Sequence, residues 1–303
     1  MENFIHIKDI TTLHKALGYK NAEHPLITVI DLAKVRIPKE MLHQKIASSF
    51  YSITLKTKTA HPIKYGRENF DFSEGFLLGV APNQIIEIDE TSEKGDMEGW
   101  ALYFHPDLIR GYELINKIDD YGFFAYETKE ALHLSDKEKS TINDIITKII
   151  DEYQSNIDEF SQDVLVSNTE LMLHYIKRFY SRQFLTRKQQ NSTIISKFNT
   201  LIKTYFNSSS ITENGLPSVH YFAENLNLSD SYLSDLLKKE TGKSTQENIH
   251  LFVIKEAKKK LLNSDKSISE IAFDLGFEYP QYFSRLFKNK TGQTPKKFRL
   301  QLN

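Results

Sequence analysis

Hydrophobic and polar positions near the end of the chain follow the same order twice. Residues 219–228 return 49 positions later as residues 268–277, and residues 232–238 return 50 positions later as residues 282–288. In both copies the apolar residues are spaced three and four apart, as on one face of an α-helix. The predicted inward positions are Val219, Phe222, Ala223, Leu226, Tyr232, Leu233, Leu236 and Leu237, and then Ile268, Ile271, Ala272, Leu275, Tyr282, Phe283, Leu286 and Phe287. A tandem copy of one short helical unit indicates a function that needs two equivalent contacts.

Each copy has the pattern of two short helices joined by a tight turn. In the second copy, Ser267 and Glu270 form a predicted capping box that begins a helix. Gly276 follows the last apolar residue of that helix, where a left-handed backbone conformation would end it. Asn227 takes the place of the glycine in the first copy, and Asn is the next most tolerant residue of that conformation. The pattern therefore predicts two helix-turn-helix units.

A longer helical pattern joins the two copies. Ser244 and Glu247 form another predicted capping box, and apolar residues continue down one face to Asn263. These apolar residues are Ile249, Val253, Ala257 and Leu261. A helix of about 19 residues is roughly 28 Å long, which is comparable to one turn of B-DNA at about 34 Å. This spacing indicates that the second helices of the two units enter successive major grooves of duplex DNA.

The outward positions of the two second helices differ in charge. Asp235 stands where the second copy has Arg285. An arginine can form a bidentate contact with guanine, whereas a carboxylate cannot bind phosphate. We therefore expect the second copy to dominate affinity for the DNA backbone. The predicted DNA-contacting residues are Ser231, Ser234 and Lys238 in the first unit, and Tyr279, Pro280, Gln281, Ser284, Arg285 and Lys288 in the second.

Residues from about 196 to 303 resemble the DNA-binding domain of AraC/XylS-type transcription regulators. The resemblance rests on residues 268–277, on Tyr282-Phe283-Ser284-Arg285-Leu286-Phe287-Lys288, and on Gly292-Gln293-Thr294-Pro295 followed by Phe298-Arg299. It implies a helical domain whose two recognition helices contact adjacent major grooves, usually to activate transcription near a promoter. For an activator it also implies RNA polymerase as a partner. Such regulators often carry an N-terminal cupin-like barrel that senses a signal or mediates dimerisation.

The first 105 or so residues have a different pattern. Short runs rich in β-branched and aromatic residues alternate with Pro, Gly, Asn and Asp, as in a small sheet, sandwich or barrel. These runs lie at 26–30, 50–55, 75–80, 84–88 and 100–104. After His105-Pro106, amphipathic helices are predicted to begin at Ser135 and Ser161. The apolar side of the first holds Ile142, Ile145, Ile146, Ile149 and Ile150, and that of the second holds Val164, Leu165, Leu171, Leu173, Ile176 and Phe179. Two such helices form a hairpin that packs on the sheet or on a second subunit.

These patterns predict an α+β protein of two domains. Residues 1–134 form a β-rich domain, which the family resemblance implies is a cupin-like sensor or dimerisation domain, and residues 135–185 form a helical hairpin. Residues 186–198 form a linker. Residues 199–303 form an all-α domain of two helix-turn-helix units joined by a long helix.

Charge is distributed unevenly along the chain. The formal net charge is −1, yet residues 196–303 contain 16 Lys and Arg against 11 Asp and Glu, a net of +5. From Tyr279 onwards there are six basic residues and no acidic ones. A basic end on an acidic body is expected where one domain binds phosphate. A charged, solvent-exposed face without any DNA-binding role would explain a net charge of +5 equally well. The charge is therefore consistent with the helix-turn-helix motif but does not establish the function.

Other chemistry finds little support in the sequence. The chain has no cysteine, which excludes disulfides, cysteine metal sites and thiol catalysis. Its histidines at positions 43, 61, 105 and 133 are scattered and form no His-x-His pair, so no metal site and no cofactor are predicted. Seven aromatic residues either line an effector pocket or simply form the core, and both alternatives stay open. They are Phe50, Tyr51, Tyr65, Phe70, Phe72, Phe76 and Trp100.

The leading hypothesis is a sequence-specific, DNA-binding transcription regulator that is an activator and not an enzyme. Its expected partners are double-stranded DNA, a small-molecule effector, RNA polymerase and, as an open alternative, a second copy of the chain. A cupin-type enzyme fused to a DNA-binding module is the competing hypothesis. No run of about 18 apolar residues and no apolar signal-type N-terminus is seen, which predicts a bacterial cytoplasmic protein without membrane contact.

Overall fold

The chain divides into two compact units, residues 1–185 and 186–303. The computed structural model describes residues 5–37, 43–58, 64–65, 68–69, 75–87, 96–127 and 130–300. Within those ranges, no helix is both long enough and apolar enough to cross a bilayer.

The N-terminal unit is rich in strands. They are β1 (Ile5–Ile7), β2 (Ile27–Asp31), β3 (Lys45–Ser48), β4 (Tyr51–Lys58), β5 (Lys64–Tyr65), β6 (Glu68–Asn69), β7 (Phe76–Val80), β8 (Ile86–Glu87) and β9 (Glu98–Phe104). The largest sheet has the antiparallel order β2-β9-β4-β7. A second sheet has the order β1-β3-β8, and β5 pairs with β6. The predicted sheet-rich region is confirmed. Because the described strands pair as separate sheets, the closed cupin-like barrel stays a prediction.

Apolar runs in the sequence become the central strands of the large sheet. Ile53 of β4 lies opposite Leu102 of β9, and both side chains are fully buried. Gly99 allows the two strands to approach where β4 is irregular, between Lys56 and Lys58. Its φ is +121°, and a Cβ atom there would lie 2.0 Å from the carbonyl oxygen of Leu55. Only glycine fits this position. The run predicted at 84–88 forms only β8, and its last residue lies outside the described residues.

The described residues of this unit also form one α-helix between its first two strands and three α-helices after its last strand. They are α1 (Ile10–Ala16), α2 (Leu114–Lys117), α3 (Asp136–Gln154) and α4 (Ser161–Thr186). Ser135 and Glu138 form both hydrogen bonds of a capping box at the start of α3. Ile142 and Ile149 of α3 are fully buried, as the pattern predicts. The assignment of Val164 and Leu171 to the buried side of α4 is wrong, because both side chains are exposed.

The described residues of the C-terminal unit form helices joined by short turns and loops. Its helices are α5 (Lys188–Asn207), α6 (Ser210–Asn214), α7 (Val219–Asn225), α8 (Asp230–Thr241), α9 (Thr245–Asn263), α10 (Ile268–Asp274), α11 (Pro280–Thr291) and α12 (Pro295–Leu300). The segment predicted as a linker, 186–198, is helical from Lys188 onwards, and Phe198 is buried in the core of this unit. The division into domains at the predicted boundaries stays a proposal.

Candidate nucleic-acid interface

The two helix-turn-helix units, α7 with α8 and α10 with α11, have the same turn. In the first, the amide of Leu228 donates to the carbonyl oxygen of Ala223 at 2.9 Å, and in the second the amide of Phe277 donates to Ala272 at 3.0 Å. The residue before each donor is left-handed, with φ +53° at Asn227 and +82° at Gly276. The repeat in the sequence is therefore a repeat in backbone geometry.

Glycine is required at the second turn for a further reason. A Cβ atom at Gly276 would lie 2.7 Å from Cδ1 of Ile211 and 2.8 Å from the backbone carbon of Gly215. The turn therefore packs directly against the end of α6. This close approach distinguishes the second unit from the first, where an asparagine occupies the turn.

Helix α9 joins the two units through a shared core. Both capping-box hydrogen bonds between Ser244 and Glu247 are formed at its start. The buried side of α9, which includes Ile249, Val253 and Ala257, belongs to the same cluster as Leu233 of α8 and Phe283 of α11. Both second helices are thus fixed to one rigid connector.

Helix α8 presents fewer polar groups to solvent than the sequence predicts. Of the three predicted contact residues, Lys238 is exposed and Ser231 is half-buried. The hydroxyl of Ser234 lies 3.2 Å from that of Thr245, which is fully buried at the start of α9. Ser234 therefore faces the connector. Asp235 is half-buried on the same helix.

Helix α11 presents a larger polar surface. Tyr279, Gln281, Arg285 and Lys288 are exposed, whereas Pro280 and Ser284 are half-buried. Pro280 is the first residue of the helix, where its missing amide hydrogen costs nothing. The structure therefore places the six predicted residues of this unit on a single helix and its N-cap, with four of them open to solvent.

Tyr282 is the functional candidate that the sequence pattern missed. It was predicted to point inward, but 51% of it is exposed, while its counterpart Tyr232 is only 4% exposed. The core at this point is already filled by aromatic rings: Phe283 lies 5.4 Å from Phe277 and 5.8 Å from Phe287, centre to centre. Because these rings occupy the inward side, Tyr282 is left at the surface.

The exposed ring of Tyr282 contacts two predicted DNA-contacting residues. Its centre lies 5.6 Å from the ring of Tyr279, edge to face, and 5.3 Å from the guanidinium carbon of Arg285. The negative face of an aromatic ring attracts a cation that lies over it, which is a cation–π interaction. Tyr279, Tyr282 and Arg285 follow at intervals of three. Residues three apart lie on the same side of a helix. The position of Tyr282 midway between Tyr279 and Arg285 could therefore have identified it as a surface residue from the sequence.

Some charged groups of this unit have structural roles. Asp274 accepts from Lys266 at 2.7 Å and from Lys260 at 3.3 Å, which ties α10 to the end of α9. The guanidinium of Arg299 donates to the backbone oxygens of Leu261 and Lys266. Arg299 therefore anchors α12, and the basic surface after Tyr279 consists mainly of lysines and Arg285.

The residues considered for a metal or an effector do not form one site. Among the described residues, no group of three or more His, Asp or Glu side chains could hold a metal ion. His43 pairs with Glu87, and His105 with Asp107, while position 61 lies outside the described residues. Phe50 and Phe76 are core residues, and the indole of Trp100 donates to Asn143 at 2.9 Å. Positions 70 and 72, and the side chain at 65, also lie outside the described part of the chain.

Part of this chain is similar to known proteins. Residues 222–301 match a family model described as a helix-turn-helix domain. The Msm operon regulatory protein of Streptococcus mutans is 39% identical over 84 residues, which cover 28% of this chain and 30% of that protein. The uncharacterized transcriptional regulatory protein YesN of Bacillus subtilis is 39% identical over 74 residues, 24% of this chain and 20% of that protein. The matches thus span less than a third of the length of these relatives.

A solved structure is also similar to part of this chain. The C-terminal domain of the two-component response regulator yesN from Fusobacterium nucleatum is 33% identical and has a TM-score of 0.30. The match covers 33% of this chain and 96% of that one.

Proposed function

Because the C-terminal part of this chain is a helix-turn-helix domain of the AraC type, we propose that the protein is a sequence-specific transcription regulator that binds double-stranded DNA. One observation carries the proposal. Two helix-turn-helix units with the same turn geometry are held on one connecting helix by a common core. A protein that reads a single groove has no need of a second unit of this kind.

The connecting helix supports binding to two adjacent major grooves. Helix α9 has 19 residues, so it is roughly 28 Å long, a little less than one turn of B-DNA at about 34 Å. Its ends carry the two units, and its buried side is packed against both. The two recognition helices, α8 and α11, would therefore enter the same face of the duplex about one turn apart.

The second unit would provide most of the affinity. Arg285 and Lys288 on α11 are exposed, and Tyr282 and Tyr279 extend the same surface. On α8 the corresponding surface contains Asp235, and Ser234 is turned toward α9. We propose that Arg285 reads a guanine in the major groove and that Lys288 contacts a phosphate. Ser231, Lys238, Gln281, Pro280 and Ser284 complete the proposed contact set.

The remaining parts of the proposal concern the N-terminal unit and the consequence of binding. We propose that the protein acts as an activator that contacts RNA polymerase, that the sheet-rich unit receives a small-molecule effector or mediates self-association, and that the protein works in the cytoplasm. The relatives of the C-terminal domain are named as regulatory proteins, and this supports a role in transcription over the alternative of an enzyme.

A binding-site selection tests the proposal. The full chain is mixed with a pool of random duplexes at about 150 mM salt, and the selected consensus is compared with a scrambled duplex by fluorescence anisotropy. We expect the consensus to bind at least about 1,000-fold more tightly than the scrambled duplex, as specific regulators do. Equal affinity for the two duplexes would contradict sequence-specific binding.

The length of the selected site tests the two-groove arrangement separately. Two short conserved blocks with centres about 10 base pairs apart would support it. A single block would mean that only one unit reads the DNA.

A further inference from the structure

The end of α6 links the two helix-turn-helix units in addition to α9. Gly215, which follows α6, lies against the turn of the second unit: a Cβ atom at Gly276 would lie 2.8 Å from its carbonyl carbon and 3.0 Å from the amide nitrogen of Leu216. From Gly215 the chain continues to Ser218, the N-cap of α7 in the first unit. Residues 215–218, here called the bridging segment, therefore join the first helix of one unit to the turn of the other.

The bridging segment has little freedom to move. A Cβ atom at Gly215 would lie 3.1 Å from the carbonyl oxygen of Gly276, and φ at Gly215 is +72°, so glycine alone fits here without strain. Pro217 is buried, and its ring fixes its φ. Because the segment and the turn are in direct backbone contact, a shift of one moves the other.

Tyr205 of α5 holds the bridging segment in this position. Its side chain is only 4% exposed, and its hydroxyl donates to the carbonyl oxygen of Gly215 at 2.9 Å. Its ring lies 4.9 Å from the ring of Tyr221 on α7, edge to face. Tyr221 in turn packs against the fully buried ring of Phe222, with centres 5.2 Å apart. The ring of Tyr205 therefore contacts the first unit, and its hydroxyl bonds the segment that lies against the turn of the second.

The turn at Gly276 determines where α11 begins. Pro280, the first residue of α11, follows Gly276 by four residues. In helix-turn-helix proteins the first residues of the second helix contact base edges. A displacement of the turn therefore displaces the groups that would read DNA, and small displacements are enough to weaken such contacts.

We propose that Tyr205 is a positioning residue that fixes the start of α11 relative to the first unit, so that both units fit their grooves at the same time. Tyr205 itself makes no contact with DNA in this proposal, which rests on the proposed function because its effect reaches DNA only through α11. Without the hydroxyl, the carbonyl oxygen of Gly215 loses its bond, while the core shared by α8 and α11 keeps all its side chains. Either unit alone then keeps its affinity, and the loss occurs where both must bind together.

Tyr205→Phe tests the proposal, because it keeps the aromatic ring and removes only the hydroxyl. Anisotropy titrations of the full chain use the complete selected site and a half-site duplex, which keeps only the half whose binding depends on Arg285. We expect the variant to bind the complete site about 3- to 10-fold more weakly than the wild type, the usual effect of one lost hydrogen bond. It should bind the half-site duplex equally well. A residue that only stabilised the fold would not distinguish the two duplexes.

The spacing between the two half-sites provides a second measurement. Inserting or deleting one base pair moves one half by about 3.4 Å and turns it by about 35°. The wild type should bind both altered duplexes more weakly than the unaltered site. The penalty should be about 3-fold smaller for Tyr205→Phe, because the start of α11 is no longer held by the bridging segment.

Gly215→Ala perturbs the same contact from the other side. Its Cβ atom would press on the carbonyl oxygen of Gly276 at a positive φ, so the complete site should lose about 10-fold or more in affinity and the half-site duplex much less. Tyr112→Phe is the matched control, since it removes a tyrosine hydroxyl that donates to Asp163 in the N-terminal unit. It should bind both duplexes like the wild type. Circular dichroism establishes that each variant is folded.

The outcomes separate this role of Tyr205 from the proposed function. If the wild type prefers the selected site to a scrambled duplex, equal losses for Tyr205→Phe on the complete site and the half-site, or no loss on either, would overturn the positioning role alone. A wild type without that preference would contradict the proposed function, and the positioning role of Tyr205 would fall with it.

Discussion

One pair of aligned residues differs in charge between α8 and α11, the two proposed recognition helices. Arg285 is exposed on α11 beside Tyr282, while its counterpart Asp235 is half-buried on α8. We expect Arg285→Ala to weaken binding to the selected duplex by about 1 to 3 kcal/mol, the usual cost of losing a bidentate base contact. Asp235→Ala should leave binding unchanged or improve it, because it removes a negative charge near the phosphates. Anisotropy titrations measure both effects.

Arg110→Ala is the control for the Arg285 variant. Arg110 is an exposed arginine of the N-terminal unit that pairs with Asp107. Its substitution changes the net charge by the same amount as Arg285→Ala, at a position distant in sequence from α8 and α11. It should bind the duplex like the wild type. If Asp235→Ala proved as damaging as Arg285→Ala, the assignment of roles to the two units would be wrong.

The left-handed turn residues Asn227 and Gly276 differ in how much an added Cβ atom destabilises the fold. At Gly276 an added Cβ meets backbone atoms of the α6 end, and φ is positive as well. At Asn227 only the positive φ matters. We expect Gly276→Ala to lower the free energy of unfolding by about 3 kcal/mol or more, and Asn227→Ala by about 1 kcal/mol.

Urea unfolding followed by circular dichroism measures this difference. The single tryptophan, Trp100, lies in the N-terminal unit, so its fluorescence follows the unfolding of that unit separately. Equal losses for the two variants would mean that the turn at Gly276 is no tighter than the turn at Asn227.

At the scale of helices, two capping boxes make the stability of the C-terminal unit depend on pH. The backbone amide of Ser267 donates to Glu270 at 2.7 Å, and that of Ser244 donates to Glu247 at 3.1 Å. These bonds hold the pKa of each glutamate below its ordinary value of 4.5. A carboxyl group whose pKa is lowered by folding stabilises the fold above its unfolded pKa, and this contribution disappears as pH falls through the folded-state pKa.

Replacing both glutamates by glutamine isolates this effect. The double variant Glu247→Gln/Glu270→Gln keeps the capping hydrogen bonds, because glutamine also serves at this position, but it has no charge to lose. Its urea midpoint should therefore fall less than that of the wild type between about pH 5 and pH 3. Glu213→Gln/Glu224→Gln is the control, since it removes two carboxylates of the same unit outside any capping box. A control profile as flat as that of the double variant would count against the capping boxes as the cause.

Helices and turns of the C-terminal unit could be predicted from the sequence because their signals are local. Ser244 with Glu247, Ser267 with Glu270, and Gly276 each specify a helix end within a few residues. The orientation of Tyr282 could not be predicted, since it depends on how Phe277, Phe283 and Phe287 fill the core.

Elements of the N-terminal unit were harder to place. Apolar residues lie on two sides of α4. The sequence pattern does not distinguish these sides, and it therefore placed Val164 and Leu171 on the buried side, although both are exposed. The pairing of β1 with β3 joins residues about 40 positions apart, and no local signal encodes such a contact. Strand existence was therefore predictable from β-branched and aromatic runs, but sheet order was not.

At the scale of the molecule, one core of the C-terminal unit holds both α8 and α11, the two helices proposed to read DNA. Leu233 and Leu237 of α8 and Phe283 and Phe287 of α11 belong to the same buried cluster as the inner side of α9. Moving one helix relative to the other would break that cluster. The fold therefore fixes the distance between α8 and α11, the two proposed recognition helices.

A fixed distance predicts how the protein responds to changes in operator spacing. Inserting 5 base pairs between the two halves of the selected site turns one half to the opposite face of the duplex, and inserting 10 restores the face but moves it about 34 Å farther away. A rigid connector cannot follow either change, so we expect both duplexes to bind no more tightly than a duplex with one half-site. Anisotropy titrations of the three duplexes and the unaltered site measure this. A 10-base-pair insertion that retained full affinity would show that α8 and α11 move independently, and would contradict a single core shared through α9.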